Sequence, residues 1–311
     1  MRERAPGKLN LTLSVLGRRP DGFHDLDSVF ARLELADELD IRLSTVGREA
    51  QSDVPLSDRL VVQGDPDCPV DGNLVLAATR LLRRHAGRAL PGLDLRLRKR
   101  VPLGAGLGGG SSDGAATLRA ARAAWSLTMT DRDLAALGAE LGSDVPFFLQ
   151  PAPLARVRGR GEHVAALCAP DGEVGVLMAI AHGPLSTREV YAAHDALGRS
   201  TATQSGTTRL VERLEAGMDA ATLSSGAEQL RDANDLWAAA VRLRPALAPL
   251  RDRLEAVLGR PFLLSGSGPT LFALYPSRRS AMKDAKALAE RQDPALRESR
   301  FVATAIERSS P

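Results

Sequence analysis

Pro102-Leu103-Gly104-Ala105-Gly106-Leu107-Gly108-Gly109-Gly110-Ser111-Ser112-Asp113 sets five glycines within seven residues and ends in Ser-Ser-Asp. Neither a strand nor a helix interior sustains that composition, so the stretch is a loop. Without a Cβ, successive backbone N–H groups can turn toward a bound oxyanion, and the positive end of a following helix adds to the attraction. The helix is legible: Ala115, Ala116, Leu118, Ala121 and Trp125 recur at helical spacing, with Ser111 or Ser112 placed to cap and Asp113 in the first turn. A phosphate cradle is the reading, since a flexible linker does not usually end in a capped helix.

Three motif templates touch this loop, and its flanks decide among them. Gly104, Gly106 and Gly109 satisfy G-x-G-x-x-G, yet the preceding Leu93-Asp94-Leu95-Arg96-Leu97-Arg98 alternates strictly. That pattern describes a strand with one wet face, whereas the first strand of a dinucleotide-binding sheet is apolar throughout. Gly110-x-Ser112-x-Gly114 fits a nucleophile elbow, with Asp144 and then His163 or His182 in the hydrolase order. An elbow follows its strand directly, and here a glycine-rich loop intervenes. The Walker template fails, because no Gly-Lys-Ser/Thr follows the glycines.

The chain of 311 residues is long enough for two domains, which composition divides at 1–155 and 156–311. A net charge of +3 with no long Lys/Arg block gives no nucleic-acid tail and suits small anionic ligands. Cys68 and Cys168 lie outside any C-x-x-C, so neither a disulfide framework nor a zinc site is indicated and a cytoplasmic setting is expected. Met1-Arg2-Glu3-Arg4 does not lead into an apolar core of ~7–15 residues, and no run approaches the ~18 of a membrane span. Among the 41 Lys and Arg residues only Lys8, Lys99, Lys283 and Lys286 are lysine. A compact ammonium in an arginine-rich chain points to a site that a planar guanidinium would not serve. Lys8 and Lys99 are the candidates, because Lys283 and Lys286 lie on an Ala-rich surface-type helix.

Lys8 to Leu16 alternates polar and apolar residues, a half-buried strand with Lys8, Asn10 and Thr12 on one face. Pro20-Asp21-Gly22 is a turn signal, and Phe23-His24 at its tip is a pair able to pack on and hydrogen-bond a base. Strands continue to Leu43, residues 44–69 read as surface loop with a short hairpin, and helices are expected over 73–85 and 131–141. Asp144 then sits in a tight turn before the apolar Val145-Pro146-Phe147-Phe148-Leu149. A turn aspartate needs no function. Beside a phosphate loop and a strand-borne lysine, however, it suggests a carboxylate and an ammonium acting on one hydroxyl, as phosphoryl transfer requires. Further on come a buried strand over 174–180, a turn into a helix through Tyr191, a mobile segment over 201–208 and helices over 230–242 and 245–258. Phe262 to Leu274 reads as strand, Gly-Ser turn and strand, the turn being a plain hairpin or a second glycine wall facing the first.

Three segments, Pro102 to Ala116, Gly142 to Phe148 and Ser265 to Phe272, resemble the three motifs of the GHMP kinases, the family named for galactokinase, homoserine kinase, mevalonate kinase and phosphomevalonate kinase. Within it, Ala5-Pro6-Gly7-Lys8-Leu9-Asn10-Leu11, Arg19-Pro20-Asp21-Gly22-Phe23-His24, Gly159-Arg160-Gly161-Glu162, Leu185-Ser186-Thr187 and Asn234-Asp235-Leu236 are similar to the branch acting on a cytidine diphosphate methylerythritol of isoprenoid precursor synthesis. The resemblance implies an α/β (α+β) fold of two domains. An N-terminal mixed-sheet domain would carry the phosphate loop, and a C-terminal antiparallel sheet backed by helices would complete a catalytic cleft.

It also implies transfer of the ATP γ-phosphoryl group to the 2-hydroxyl, with Asp144 as acid–base residue and Lys8 beside it. The loop from Pro102 through Ser112 would hold ATP, with Asn73 and Lys99 near the adenine. Asn10, Phe23, His24, Thr187 and Tyr191 would bind the alcohol substrate, the two rings and the histidine at its cytosine. Mg2+ is expected with ATP, its protein ligands unknown, in a monomer or homodimer without nucleic-acid or membrane partners. Two positions depart from the branch pattern: Phe23 stands where Tyr is common, and Gly114 stands where Ala is usual, at about 1 kcal/mol in helix propensity. The rival readings are another small-alcohol kinase of the homoserine or mevalonate type, a serine hydrolase using Ser112, and a nucleotide-binding regulatory module without turnover.

Overall fold

Residues 1–44, 57–198 and 204–308 are described by the structure, a computed structural model. The first two strands, β1 (Arg2–Arg18) and β2 (His24–Leu43), pair with one another around a turn at residues 20–22. The chain divides into two compact units, each assembled from separated stretches: 1–7, 35–103 and 108–151 in the first, 8–34, 104–107 and 152–311 in the second. The alternation along β1 predicts one wet face. Instead Lys8, Asn10, Thr12 and Ser14 are all buried along with the leucines between them. A strand covered on both sides keeps polar residues only where hydrogen bonds replace water, and those bonds form the site described below.

In the first unit, β3 (Arg59–Gln63) runs parallel to β4 (Leu93–Arg98), which pairs antiparallel with Glu38–Leu43. The residues between β3 and β4 include α1 (Leu74–Ala86), capped by Asn73. A parallel partner for β3 replaces the hairpin expected in this region, and residues 45–56 of that expectation lie outside the described residues. Along β4 the alternation survives: Leu93, Leu95 and Leu97 are buried while Arg96 and Arg98 are exposed. Three helices follow, α2 (Gly109–Ala124), α3 (Asp131–Leu141) and α4 (Val145–Leu149), and α1, α3 and α4 all pack on α2. Gly114 in α2 has a packing reason, since a Cβ there would stand 2.9 Å from Leu141 Cδ2 and 3.5 Å from Leu74 Cβ. Close helix contact offsets its propensity cost.

In the second unit, β5 (Leu154–Gly159) pairs antiparallel with Leu26–Ala31 and with β6 (His163–Leu167). The chain continues through β7 (Gly175–Ala181), α5 (Thr187–Leu197), α6 (Gln204–Glu215), α7 (Ala220–Ser225), α8 (Trp237–Leu243) and α9 (Leu247–Leu258). Then come β8 (Leu263–Leu264), β9 (Thr270–Tyr275), α10 (Arg278–Glu290) and β10 (Ser299–Ala305). The order β10-β7-β9-β8 makes an antiparallel sheet, whose Leu177, Leu264, Leu271 and Tyr275 form one core with Leu250 and Leu254 of α9 and Leu288 of α10.

Two expectations change here. The segment expected to be mobile over 201–208 enters α6 at Gln204, while residues 199–203 lie outside the described residues. The helix expected from Leu230 starts only at Trp237, because Asn234 leaves the helical course to bond elsewhere. Its Nδ2 donates to the Leu264 and Gly266 carbonyls, and its Oδ1 accepts from Leu236 N.

Candidate active site

The glycine loop is shared between the units: Gly104–Leu107 belongs with the second, while Pro102, Leu103 and Gly108 onward belong with the first. In the first unit α2 begins earlier than capping chemistry predicts. Gly108, in the left-handed region at φ 67°, is the N-cap, no side chain caps the helix, and Ser111 and Ser112 lie inside its first turn. Neither serine therefore caps, and Asp113 falls past the first turn, where it is buried. Four N–H groups at a helix start have no intrahelical partner, so an uncapped 16-residue helix behind glycines presents them to an anion. Gly109 and Gly110 are partly and fully open, so the residues present fit a phosphate group. Ser112 Oγ is buried and has no hydrogen-bond partner, and no strand adjoins it, so the geometry of a nucleophile elbow is not formed.

Lys99, expected near the adenine, is enclosed by two acidic side chains. Its Nζ donates to Asp37 Oδ2 and, at 2.7 Å, to Asp113 Oδ2, with its side chain 1% exposed. Asp37 Oδ1 also accepts from the Arg100 and Val101 backbone N–H groups. Burial lowers the affinity of Lys99 for its proton, and the Asp113 and Asp37 carboxylates more than restore it, leaving its pKa above the usual lysine range. Burial pushes the Asp113 carboxyl up to about 8, opposed by the Lys99 ammonium and reinforced by the Asp37 carboxylate. Two carboxylates sharing one ammonium retain a proton in this way. The cluster ties the residues after β4 and the β2 strand to α2. Asp37 was one of several acids along β2 and Asp113 was read as a first-turn helix residue, so no local signal marked either as a partner of Lys99. Asn73 likewise serves structure, with Oδ1 accepting from Val75 N at 3.0 Å and Nδ2 donating to Pro69 O at 2.9 Å.

Asp144 stands half-buried just before α4, held by a turn in which Val145 N donates to Gly142 O at 3.2 Å and Pro146 sits in the first helical turn. Its carboxylate does not cap α4.

In the second unit, Lys8 Nζ donates to Asn10 Oδ1 at 2.6 Å and to Gly106 O at 3.2 Å, and lies 4.9 Å from the Phe30 ring centroid. Asn10 Nδ2 donates to Ser28 Oγ at 3.0 Å. The turn between β8 and β9 is the second glycine wall. Ser265 Oγ donates to Gly106 O, Thr270 Oγ1 to Ala105 O, and a Cβ on Gly266 would meet Asn10 Oδ1 at 3.2 Å and Lys8 Nζ at 3.4 Å. Lys8 N in turn donates to Leu107 O at 2.8 Å. Ser265 and Gly266 thus join the residues around Lys8, a role that neither the Gly-Ser turn nor the motif resemblance gave them in the sequence.

Elsewhere in this unit His24 stacks on Tyr191, centroids 4.8 Å apart and planes 26° from parallel, and His24 Nε2 lies 2.7 Å from Asp195 Oδ1. Phe23 is exposed with the Arg160 guanidinium 4.6 Å over its ring. Thr187 Oγ1 pairs with Ser267 Oγ at 3.0 Å. Asp195 beside His24 has no motif of its own in the sequence, whereas Arg160 over Phe23 belongs to the Gly159-Arg160-Gly161-Glu162 segment.

The N-terminal domain of the GHMP kinases matches residues 73–151, and the C-terminal domain of the same family matches residues 210–293. The chain belongs to the GHMP kinases. It is 36% identical over 280 residues to a 4-diphosphocytidyl-2-C-methyl-D-erythritol kinase of Pelotomaculum thermopropionicum, covering 89% of this chain and 90% of that protein. To the protein of the same name from Mycobacterium tuberculosis it is 40% identical over 286 residues, covering 90% of this chain and 83% of that one. Among solved structures, a 4-(cytidine 5'-diphospho)-2C-methyl-D-erythritol kinase superposes with TM-score 0.71 at 33% identity, covering 98% of this chain and 99% of that one. A homoserine kinase from Cytophaga hutchinsonii shares the fold, with TM-score 0.69 at 18% identity over 99% and 95% of the two chains. Among the described residues no group of three or more His, Cys, Asp or Glu is placed to hold a metal ion, and no helix is long and apolar enough to cross a membrane.

Proposed function

We propose that this kinase transfers the γ-phosphoryl group of ATP to the 2-hydroxyl of 4-diphosphocytidyl-2-C-methyl-D-erythritol, in the non-mevalonate route to isoprenoid precursors. The observation that carries the choice of alcohol is the His24–Tyr191 stack with Asp195 on the ring nitrogen. An aromatic pair with a fixed imidazole suits the face and edge of a nucleobase, and homoserine or mevalonate would leave it unused. Phe23 contributes ring contact without a hydroxyl. Relatives of that name at 36% and 40% identity support the same reading.

ATP supplies the phosphoryl group, and the uncapped start of α2 with Gly108, Gly109 and Gly110 would hold its phosphates. Mg2+ would come with the nucleotide, which suits a hard ion that keeps phosphate and water ligands. Asp144 takes the proton of the substrate hydroxyl, and Lys8 stabilises the negative charge on the oxygens of the transferred phosphoryl group. Asn10 holds the Lys8 ammonium, and Thr187 would contact the substrate. Lys99 and Asn73 shape the nucleotide side indirectly, by fixing α2 and α1. The setting is cytoplasmic, as a monomer or homodimer.

ADP release measured against the cytidylylated methylerythritol, homoserine and mevalonate tests the substrate. Turnover confined to the first is expected, and preference for either of the others overturns the reading. Asp144→Asn keeps ATP affinity and lowers kcat by roughly 10²- to 10⁴-fold. Near-normal kcat in that variant would remove Asp144 from the chemistry.

A further inference from the structure

We propose that Ser28 is a positioning residue for phosphoryl transfer: it fixes which end of the Asn10 amide faces Lys8. The inference rests on the catalytic role given to Lys8 above. Lys8, Asn10, Thr12 and Ser28 are 4%, 2%, 0% and 0% exposed, so water does not select their hydrogen bonds. An ammonium is donor only, and it requires the amide oxygen of Asn10, met at 2.6 Å. The amide nitrogen must then find an acceptor on its other side, and Ser28 Oγ lies there at 3.0 Å.

A hydroxyl alone would not settle the orientation. It serves an amide nitrogen as acceptor and an amide oxygen as donor equally well. The tie is broken by the Thr12 carbonyl, which accepts the Ser28 hydroxyl hydrogen and can only accept. With that hydrogen committed, Ser28 Oγ offers a lone pair to Asn10 Nδ2, and the amide oxygen is left for Lys8. Every donor from Lys8 through Asn10 and Ser28 to Thr12 points the same way along the chain, an arrangement in which each bond polarises the next. Thr12 is fixed in turn, its Oγ1 accepting from Val29 N at 3.2 Å. Reversal of the amide would set an NH2 group against the ammonium and push Lys8 from its place beside Gly106 O.

Ser28→Ala removes the lone pair that holds Asn10. The expected result is a fall in kcat of roughly tenfold or more, as for small misplacements of catalytic groups, with KM for ATP and for the alcohol within about twofold. Ser28→Thr, which keeps the hydroxyl, restores most of the lost kcat. Ser28→Cys keeps the volume with a weak hydrogen-bonding partner and reads the same loss should the alanine variant not accumulate. In an Asn10→Ala background the chain is already cut, and Ser28→Ala then has little further effect on kcat. An unchanged kcat in Ser28→Ala, or an equal further loss in the Asn10→Ala background, overturns the proposal. Absence of turnover in the unmutated enzyme would instead indict the substrate assignment and not Ser28.

Discussion

A Cβ added at Gly106 would stand 2.5 Å from the Ser265 carbonyl oxygen and 3.0 Å from that of Gly268, whereas at Gly110 it would meet only a Leu74 methyl at 3.8 Å. Gly106 also has φ +74°, a backbone region that disfavours L side chains, while Gly110 lies in the first turn of a helix. One run of glycines therefore answers two separate needs. Before Gly108, glycine lets the loop lie against another turn of its own unit. At Gly110 it leaves the start of a helix open, while Gly109 packs closely on Val101, 3.0 Å from a Cβ placed there. Composition treats these glycines alike, and only their neighbours distinguish packing from ligand access.

The largest effect expected from this contrast is at Gly106. Gly106→Ala combines left-handed strain of ~1–2 kcal/mol with overpacking of ~1–3 kcal/mol, so thermal unfolding should come on the order of 5–10 °C lower. Affinity for both ATP and the alcohol should fall together, and a normal Tm with weakened ATP alone would assign Gly106 to the phosphates instead.

A middle-sized effect belongs to Asp113, in the helix that the second half of the loop opens. Its folded-state pKa is raised to about 8 by burial, above the ordinary carboxylate value of 3.8, so its protonated form favours folding. That contribution is complete below about pH 4 and is lost as pH rises through 8. Asp113→Asn, which stays uncharged, should flatten the pH dependence of Tm across this window and improve relative to the unmutated protein by on the order of 1 kcal/mol between pH 6 and 9. An unchanged slope would mean that Asp113 is ionised throughout and that Lys99 alone satisfies it.

Gly110→Ala should be the mildest. With open space for the methyl group it raises stability by ~0.5–1 kcal/mol as a helix residue. KM for ATP should rise roughly fivefold, about 1 kcal/mol of lost phosphate approach. If KM for ATP is untouched, the uncapped helix start is not the phosphate site.

Much of this architecture was readable from the chain. The alternation of Leu93 to Arg98 and the helices expected over 73–85 and 131–141 are local consequences of side-chain period, and each element formed within a residue or so of where that period places it. The ordered motifs around Lys8, the glycine loop, Asp144 and Ser265 were enough to place the chain among the GHMP kinases.

What the sequence could not decide were the partners of its polar residues. Lys8 and Lys99 are both lone lysines at strands, equal in every local respect, yet Lys99 is enclosed by Asp37 and Asp113 while Lys8 meets Asn10 Oδ1 and Gly106 O. Ser28 looked like one more strand serine, and Ser111 and Ser112 looked like caps. Hydrophobic period and capping preference act over a few residues, so a chain written in order exposes them. A buried hydrogen bond joins groups brought together from 14, 62 or 98 positions apart, and its choice of donor and acceptor exists only once tertiary packing has removed the water that would otherwise satisfy both.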